Sequence, residues 1–268
     1  MNIATLKYFS GLLLLVLLAA SCTKVIDLKL GNHTGELVIE GNFTNDPGPQ
    51  YVKLSRNVPF TSTNTYPPVT GATVTIFDNT NNHHFSMIEG PAGTYSVSRG
   101  VGIAGHSYTM SVTVDGQTYT GNSTMPGIVT MDSITSSSNF LNKNDSQRMI
   151  TVYFQDPINA ANQYRFVMNV NHVQVKSIFA FDDEFSNGKY VNLDLQENSI
   201  NIYPNDTVTV EMQCIDKPVY DYWYTLMQQQ GDNPGGAVAP ANPPTNITPT
   251  TLGYFSAHTT QTITLVVK

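Results

Sequence analysis

Short segments in which apolar and polar residues alternate recur along most of this chain. One of them, Tyr108-Thr-Met-Ser-Val-Thr-Val114, places apolar side chains on one face and threonine or serine on the other. Alternation with a period of two is typical of a strand that is buried on one side only. Turn residues separate the segments, for example Asp115-Gly116, a dipeptide favoured in tight hairpins. The pattern favours an all-β sandwich fold.

The alternating segments fall into two groups. Residues 36–130 hold about seven short strands, which suit one small β-sandwich. Met125-Pro126 and the serine-rich stretch 133–139 mark a boundary near residue 130. Strand-like segments resume beyond it, so residues 131–268 are expected to form a second β-domain. We therefore predict two β-sandwich domains, whose pattern resembles immunoglobulin-like or carboxypeptidase-regulatory-type modules.

One segment of the second domain departs from the β pattern. Asp216 is suited to cap a helix, Pro218 suits the first turn, and apolar side chains then recur at helical spacing. A single short helix is predicted near 217–230. The Gly/Pro/Asn-rich loop 231–249 that follows is longer than most connections, which indicates a loop that is either functional or partly disordered.

The charge balance excludes one class of partner. The chain has 13 Lys plus Arg against 20 Asp plus Glu, a formal net charge of −7, and no run of basic residues. Nucleic-acid binding depends on clustered Lys and Arg side chains that displace counterions from the phosphates. We therefore expect no nucleic-acid partner.

The N-terminus predicts export and a lipid anchor. Lys7 gives a positive start, and residues 11–20 (GLLLLVLLAA) are an unbroken apolar run, shorter than the roughly 20 residues that span a bilayer. Small residues then lead directly to Cys22, an order that resembles a lipobox, in which the cysteine is diacylated (with chains such as palmitate) and becomes the new N-terminus. We predict a signal peptide at 1–21, lipidation of Cys22 and a tether at 22–35. An ordinary secretory signal with an incidental cysteine, and an uncleaved anchor helix, are the alternatives.

The second cysteine is predicted to be structural. With Cys22 lipidated, Cys214 has no partner, so the mature chain is expected to contain no disulfide. Cys214 lies in a strand-like segment, which favours a buried, unreactive thiol. Because two acyl chains anchor a protein stably, the membrane is expected to be a partner through the lipid on Cys22.

Several stretches resemble one protein family. They are Leu37-Val-Ile-Glu-Gly41, Asp156-Pro157, Asn162-Gln-Tyr164, Ile215-Asp216, Val219-Tyr-Asp-Tyr222, Asn242-Pro-Pro-Thr-Asn-Ile247 and Leu252-Gly-Tyr-Phe-Ser-Ala257. Together they resemble the domain-of-unknown-function family 4249, a family of lipoproteins from Bacteroidota, over nearly all of the mature chain. The resemblance implies an outer-membrane lipoprotein, facing the periplasm or the surface, with a TonB-dependent receptor as its partner in nutrient uptake. It implies no reaction and no catalytic residues.

Four residues are candidates for ligand binding. They are Tyr222, Asn242, Asn246 and Tyr254. Aromatic faces stack on sugars and peptides, but the helical spacing of Trp223 favours a core position and leaves Tyr222 as the exposed ring. The loop from Asn242 to Asn246 is shaped by two prolines, and with Tyr254 it is either architectural or lines a binding surface.

Metal binding and catalysis find little support in the sequence. Asp182-Asp183-Glu184 is the only run of three acidic residues, and these are weak candidates for a hard cation because the spacing of a loop site is missing. We expect no cofactor. The chain has no Gly-x-Ser-x-Gly, no His-Glu-x-x-His, and no Ser-x-x-Lys followed by its partner motifs, so we predict that it is not an enzyme.

The sequence thus predicts a non-catalytic, membrane-anchored lipoprotein that binds a partner or ligand. Two other classes stay open: a structural or adhesive protein of the cell envelope, and a hydrolase acting on glycans or peptides. A compact polar pocket that unites serine or carboxylates with a histidine would favour the hydrolase.

Overall fold

The strands seen in the computed structural model follow the alternating segments of the sequence. The structure describes residues 34–59, 62, 65–138, 146–158, 160–197, 199–230 and 241–268. Cys22, the predicted signal peptide and nearly all of the tether lie outside these residues, as do positions 231–240 of the predicted long loop. Thr34–Lys268 form one compact unit.

In chain order the strands are β1 (Leu37–Thr44), β2 (Gly48–Arg56), β3 (Thr73–Asp78), β4 (His83–Ser86), β5 (Ile88–Glu89), β6 (Thr94–Gly100), β7 (Ser107–Val114), β8 (Gln117–Thr124), β9 (Met131–Ser138), β10 (Arg148–Gln155), β11 (Gln163–Val170), β12 (Val173–Gln174), β13 (Phe179–Asp182), β14 (Tyr190–Leu195), β15 (Thr207–Ile215), β16 (Ile247–Thr248) and β17 (Leu252–Val266). The helix α1 (Lys217–Gln229) lies between β15 and β16.

The strands form one large sheet and two small ones. The large sheet has the order β12-β11-β15-β17-β1-β2-β6-β5, and β13 also pairs with β11. The small sheets have the orders β16-β8-β7-β3-β4 and β14-β10-β9. Neighbouring strands are antiparallel except β1 and β17, which run parallel. The central strand β17 pairs with β1 through its first half and with β15 through its second half.

Each small sheet packs on the large sheet through its own hydrophobic cluster. Ile39 and Phe255 belong to the cluster under β3 and β7, while Phe154 and Phe166 belong to the cluster under β9 and β10. Full burial of one such side chain contributes about 1.5–3 kcal/mol relative to exposure. The predicted all-β fold with two sandwich cores and one short helix is confirmed, and the two sandwiches share the large sheet.

The C-terminal strands connect the two groups of strands that the sequence suggested. Strand β17 lies beside β1, and β16 pairs with β8, although both follow residue 245 in the chain. Ile247, Phe255 and Ala257 therefore belong to the cluster that is otherwise built from residues 37–125. The division into domains 36–130 and 131–268 stays a prediction.

Gly253 permits the close approach of β17 to β1. Its φ of +101° lies in a region that side chains rarely adopt, and a Cβ at this position would lie 1.9 Å from the carbonyl oxygen of Ile39. Only glycine fits here without displacing one of the two strands. The approach fixes the parallel register in which Tyr254 lies beside Glu40.

Helix α1 begins and packs as the sequence predicts. Asp216 is the N-cap, with its side chain accepting a hydrogen bond from the backbone N–H of Val219, and a proline occupies the first turn. The second oxygen of Asp216 accepts hydrogen bonds from the hydroxyl of Ser123 and the backbone N–H of Thr124, both at 2.9 Å. The cap therefore also joins the helix to β8.

Candidate functional site

The large sheet has one apolar face and one polar face. On β17 the odd-numbered residues Phe255 and Leu265 pack against the hydrophobic clusters, so the even-numbered residues point to the opposite side. Helix α1 lies on that opposite side, where Tyr254 packs with Val219 and Tyr220. The polar face is thus covered in part by the helix.

A groove of about 390 Å³ lies on this polar face. Its volume falls in the range of small-molecule sites, roughly 300–1,000 Å³. The side chains that line it come from five neighbouring strands, from β12 and from the helix: Glu40, Asn42, Thr44, Tyr51, Lys53, Arg165, Val167, Gln174, Glu211, Gln213, Trp223, Tyr254 and His258. Most of them are polar, so the groove can form many directed hydrogen bonds.

Arg165 is the central cation of the groove. Its guanidinium carbon lies 3.6 Å from the ring centroid of Trp223, and one of its nitrogens donates to Oε1 of Gln213 at 2.9 Å. The face of a tryptophan ring attracts a cation, so this contact helps to hold the guanidinium in place. Burial lowers the pKa of Arg165, while the neighbouring Tyr254 and Glu211 raise it, so the group stays charged.

Gln213 connects Arg165 to an acidic side chain. Its Nε2 donates to Oε1 of Glu211 at 2.7 Å, and the hydroxyl of Thr260 donates to the same oxygen at 2.9 Å. An amide therefore stands between the positive and the negative group where a direct ion pair would otherwise form. The arrangement fixes both charges while leaving further N–H groups of Arg165 for another acceptor.

Glu40 and Lys53 lie on the far side of the groove. They are opposite each other on β1 and β2. The ion pairs that join described residues are Arg56–Asp115, His106–Asp78 and Lys217–Asp221, and none of these involves a groove residue. The groove thus contains two acidic and two basic side chains that are not paired directly with one another.

Aromatic rings form the wall beneath the helix. The Tyr254 ring centroid lies 5.2 Å from that of Trp223 and 4.9 Å from that of Tyr222. Asn42 donates from Nδ2 to the Tyr254 hydroxyl at 3.3 Å. Burial raises the pKa of Tyr254, so its hydroxyl stays protonated. The rings and this bond keep the wall rigid.

His258 and Ser256 form a buried pair on β17. The Ser256 hydroxyl lies 2.9 Å from Nδ1 of His258, and each residue is 2% exposed. Burial lowers the pKa of His258 to about 4, and the charge of Arg165 acts in the same direction against the opposing effect of Glu211. The imidazole is therefore neutral at pH 7. Ser256 does not line the groove, so this pair lacks an accessible nucleophile.

The structure places the predicted binding residues at different sites. Tyr254 lines the groove, and Tyr222 packs against it but is half-buried instead of exposed, because the rings of Tyr254 and Trp223 cover it. Asn246 donates to the carbonyls of Asn122 and Phe255 and accepts from the backbone N–H of Phe255. Asn242 is exposed. Of the four, two therefore lie together, and their role in binding stays a prediction.

Within the described residues, the acidic run Asp182-Asp183-Glu184 does not form a metal-binding group. Asp183 is buried and accepts from the backbone N–H of Asn162 at 3.0 Å, while Glu184 is exposed. Within the part of the chain that the structure describes, no three His, Cys, Asp or Glu side chains gather as a metal site would require. Cys214 is a free, buried cysteine, and burial raises the pKa of its thiol.

Sequence reasoning missed the centre of the groove. Arg165, Glu211 and His258 occupy the outward positions of alternating strands, where polar residues are ordinarily solvated. Many outward positions of these strands carry Thr, Asn or Gln, so ionisable side chains in three of the strands were an available signal. What the pattern did not show was that these strands are neighbours.

Comparison with known families gives a clear assignment. The family model described as Domain of unknown function (DUF4249) matches residues 23–264. The chain belongs to the DUF4249 family. The match of this DUF4249 protein begins at the residue directly after Cys22. No curated protein matches it.

Three solved structures show a weak likeness to the DUF4249 chain. A segment of two fibronectin type III domains from chicken tenascin is 14% identical, with 69% of this chain and 91% of that chain covered and a TM-score of 0.22. The Yersinia pseudotuberculosis adhesin InvE is 15% identical, with 67% and 57% covered and a TM-score of 0.20. A 1.5-MDa bacterial ice-binding adhesin is 17% identical, with 87% and 64% covered and a TM-score of 0.19. At TM-scores this low, the likeness supports no conclusion about this chain.

Among the residues that the structure describes, no helix is both long and apolar enough to cross a bilayer.

Proposed function

We propose that this DUF4249 protein is a non-catalytic lipoprotein, anchored in the outer membrane through Cys22, that binds a polar ligand on the large sheet. The observation that carries the proposal is the groove of about 390 Å³, in which charged side chains of both signs stand next to an aromatic wall. Concave sites with a few directed polar groups are the usual form of ligand sites.

The anchor is supported by the sequence and by the extent of the family match. The apolar run 11–20 ends in small residues directly before Cys22. The family match begins at residue 23, so the segment up to Cys22 lies outside the matched region. Both observations fit a signal that is removed at Cys22.

The absence of catalysis is supported by the chemistry of the groove. A hydrolase would need a nucleophile or an activated water beside a base. The hydroxyl of Ser256 contacts Nδ1 of His258, and Ser256 is too buried to act as an accessible nucleophile. Glu211 accepts two hydrogen bonds that fix it as a structural acceptor. The geometry thus favours recognition over reaction.

A TonB-dependent receptor is the partner that we propose on the basis of the family resemblance. A ligand binder anchored beside such a receptor would raise the local concentration of the transported compound. The structural or adhesive alternative predicts no such partner.

The test is a mild-detergent purification from native membranes with the wild type and Cys22→Ala. We expect the wild type in the outer-membrane fraction, with the mass of two or more acyl chains, together with a TonB-dependent receptor. We expect Cys22→Ala to be released and to lose the receptor. Equal release of both forms without added mass would refute the anchor. An anchored protein without a receptor would favour the adhesive alternative.

A further inference from the structure

The acidic and basic side chains of the groove are equal in number and form no direct ion pairs with one another. Two acidic side chains, Glu40 and Glu211, and two basic ones, Lys53 and Arg165, line it, and the remaining ionisable ring of His258 is neutral at pH 7. A site for phosphate or another simple anion would carry an excess of positive charge, and a site for a cation an excess of negative charge. The balance of charge fits a ligand that carries both signs.

Arg165 and Glu40 lie at opposite sides of the groove, each beside a group of the other sign, Glu211 and Lys53 respectively. The guanidinium carbon of Arg165 lies over the Trp223 ring and one of its nitrogens donates to Gln213, so most of its five N–H donors are available for a planar acceptor. A carboxylate is the acceptor that matches this fork of donors. At the other side, the carboxylate of Glu40 makes no hydrogen bond to a residue within the described ranges and suits an ammonium group.

The neutral part of the groove matches an amide backbone. Asn42 on β1 and Gln174 on β12 also line the groove, and each of these side chains offers both a donor and an acceptor. Along β17 the floor runs from Tyr254 to His258, about 13 Å at the rise of an extended strand. A chain of two to three residues in extended form has a comparable length, about 7–11 Å.

We infer that the ligand of this groove is a short peptide with free termini, whose carboxylate binds Arg165 and whose ammonium group binds Glu40. The inference rests on the proposed ligand-binding function and specifies the class of the ligand. Neutral oligosaccharides satisfy the hydrogen-bonding groups but leave both charges without partners, so they are the competing ligand class.

The test is isothermal titration of the full-length protein in detergent micelles with trialanine and its blocked forms. N-acetylation removes the ammonium group, and C-terminal amidation removes the carboxylate, while the backbone is unchanged. We expect trialanine to bind and each block to weaken binding by about ten- to a hundredfold, the usual effect of losing a hydrogen-bonded charge. Cellotriose serves as the neutral saccharide.

Two variants connect the termini to the two side chains. Arg165→Gln should bind trialanine and its amide equally, because the carboxylate no longer has a partner. Glu40→Gln should bind trialanine and its N-acetyl form equally. This loss of discrimination differs from the general loss that misfolding causes, and Glu40 is half-buried without a bond to a described residue, so its variant should fold. The exposed Arg99 provides the matched control, Arg99→Gln.

The outcomes separate the inference from the function on which it rests. Equal binding of trialanine and its blocked forms, or no binding of any peptide, would overturn the peptide inference. Cellotriose binding that Arg165→Gln abolishes would overturn it as well, but would leave the proposed ligand-binding function intact. Failure of the proposed function itself would appear in the membrane purification.

Discussion

At the scale of single residues, the groove depends on the charge states of two neighbouring side chains, a charged Arg165 and a neutral His258. Arg165 is held by a tryptophan face and an amide, and its charge adds to the effect of burial, which is the main cause of the lowered pKa of His258. A protonated His258 would repel the charged Arg165, and this repulsion is strong in a medium of low dielectric. A neutral imidazole is therefore part of how the site tolerates Arg165.

The burial of His258 predicts a pH dependence of stability. Its folded-state pKa is about 4, below the unfolded value of about 6.5. The unfolded chain thus binds an extra proton between these values, so stability present above pH 6.5 is lost as the pH falls toward 4, by about 3 kcal/mol. The free energy of unfolding, measured by denaturant titration from pH 7 to pH 4, should show this loss.

The contribution of His258 can be isolated by substitution. His258→Gln should flatten the pH dependence of unfolding in that window, whatever its effect on stability at pH 7. His84→Gln, at an exposed strand position, is the control and should keep the wild-type slope. Identical slopes in all three proteins would show that His258 is protonated normally in the folded state.

At the scale of elements, the helix and the C-terminal strand are held by side chains that act as clamps. Asp216 caps α1 and also binds β8, while Asn246 binds both the backbone of Phe255 and the carbonyl of Asn122. Each clamp joins segments about 90 or more residues apart in the sequence. The wall and the floor of the groove are thus positioned by contacts outside it.

Loss of the cap should destabilise the protein. Asp216→Ala removes the N-cap bond and leaves the hydroxyl of Ser123 and the N–H of Thr124 without their acceptor, at a cost of about 2–3 kcal/mol. Asp221→Ala, which breaks only the exposed ion pair with Lys217, should change stability by less than about 1 kcal/mol. Urea denaturation followed by circular dichroism measures both. Equal effects would contradict the role of Asp216 as a clamp.

The two asparagines of the proline-rich loop should behave differently. Asn246→Ala removes three hydrogen bonds to the backbone and is expected to cost about 2–4 kcal/mol. Asn242→Ala, at an exposed position, should stay within about 0.5 kcal/mol of the wild type. Thermal unfolding compares the variants. If Asn246→Ala were as stable as the wild type and lost ligand binding, the loop would line a binding surface instead of supporting the fold.

Sequence patterns predicted the elements better than their arrangement. The alternation in Tyr108–Val114 and the cap at Asp216 depend on neighbouring residues, so the strand and the helix start were predictable. The pairing of Tyr254 with Glu40 joins residues more than two hundred positions apart and depends on the single close approach at Gly253. Local patterns carry no information on such a pairing, and the groove that it creates was therefore not foreseen.

At the scale of the whole molecule, the shared large sheet separates stability from binding. Both hydrophobic clusters lie on one face, so the other face is free to carry charged side chains at a low cost to the fold. The helix covers part of that face and provides its aromatic wall. A DUF4249 protein built in this way can present a polar site while its two cores remain unchanged.

The single tryptophan gives the most direct test of the central claim that this groove is the binding site. Trp223 is the only tryptophan of the chain and contacts Arg165 in the groove, so tryptophan fluorescence reports on the binding of a ligand in the groove. Titration with trialanine should change the Trp223 emission with the same saturation curve as the heat of binding, and Arg165→Gln should shift both curves together to about ten- to a hundredfold higher trialanine concentration. Saturable heat without any response of Trp223 would place the ligand elsewhere and contradict the account.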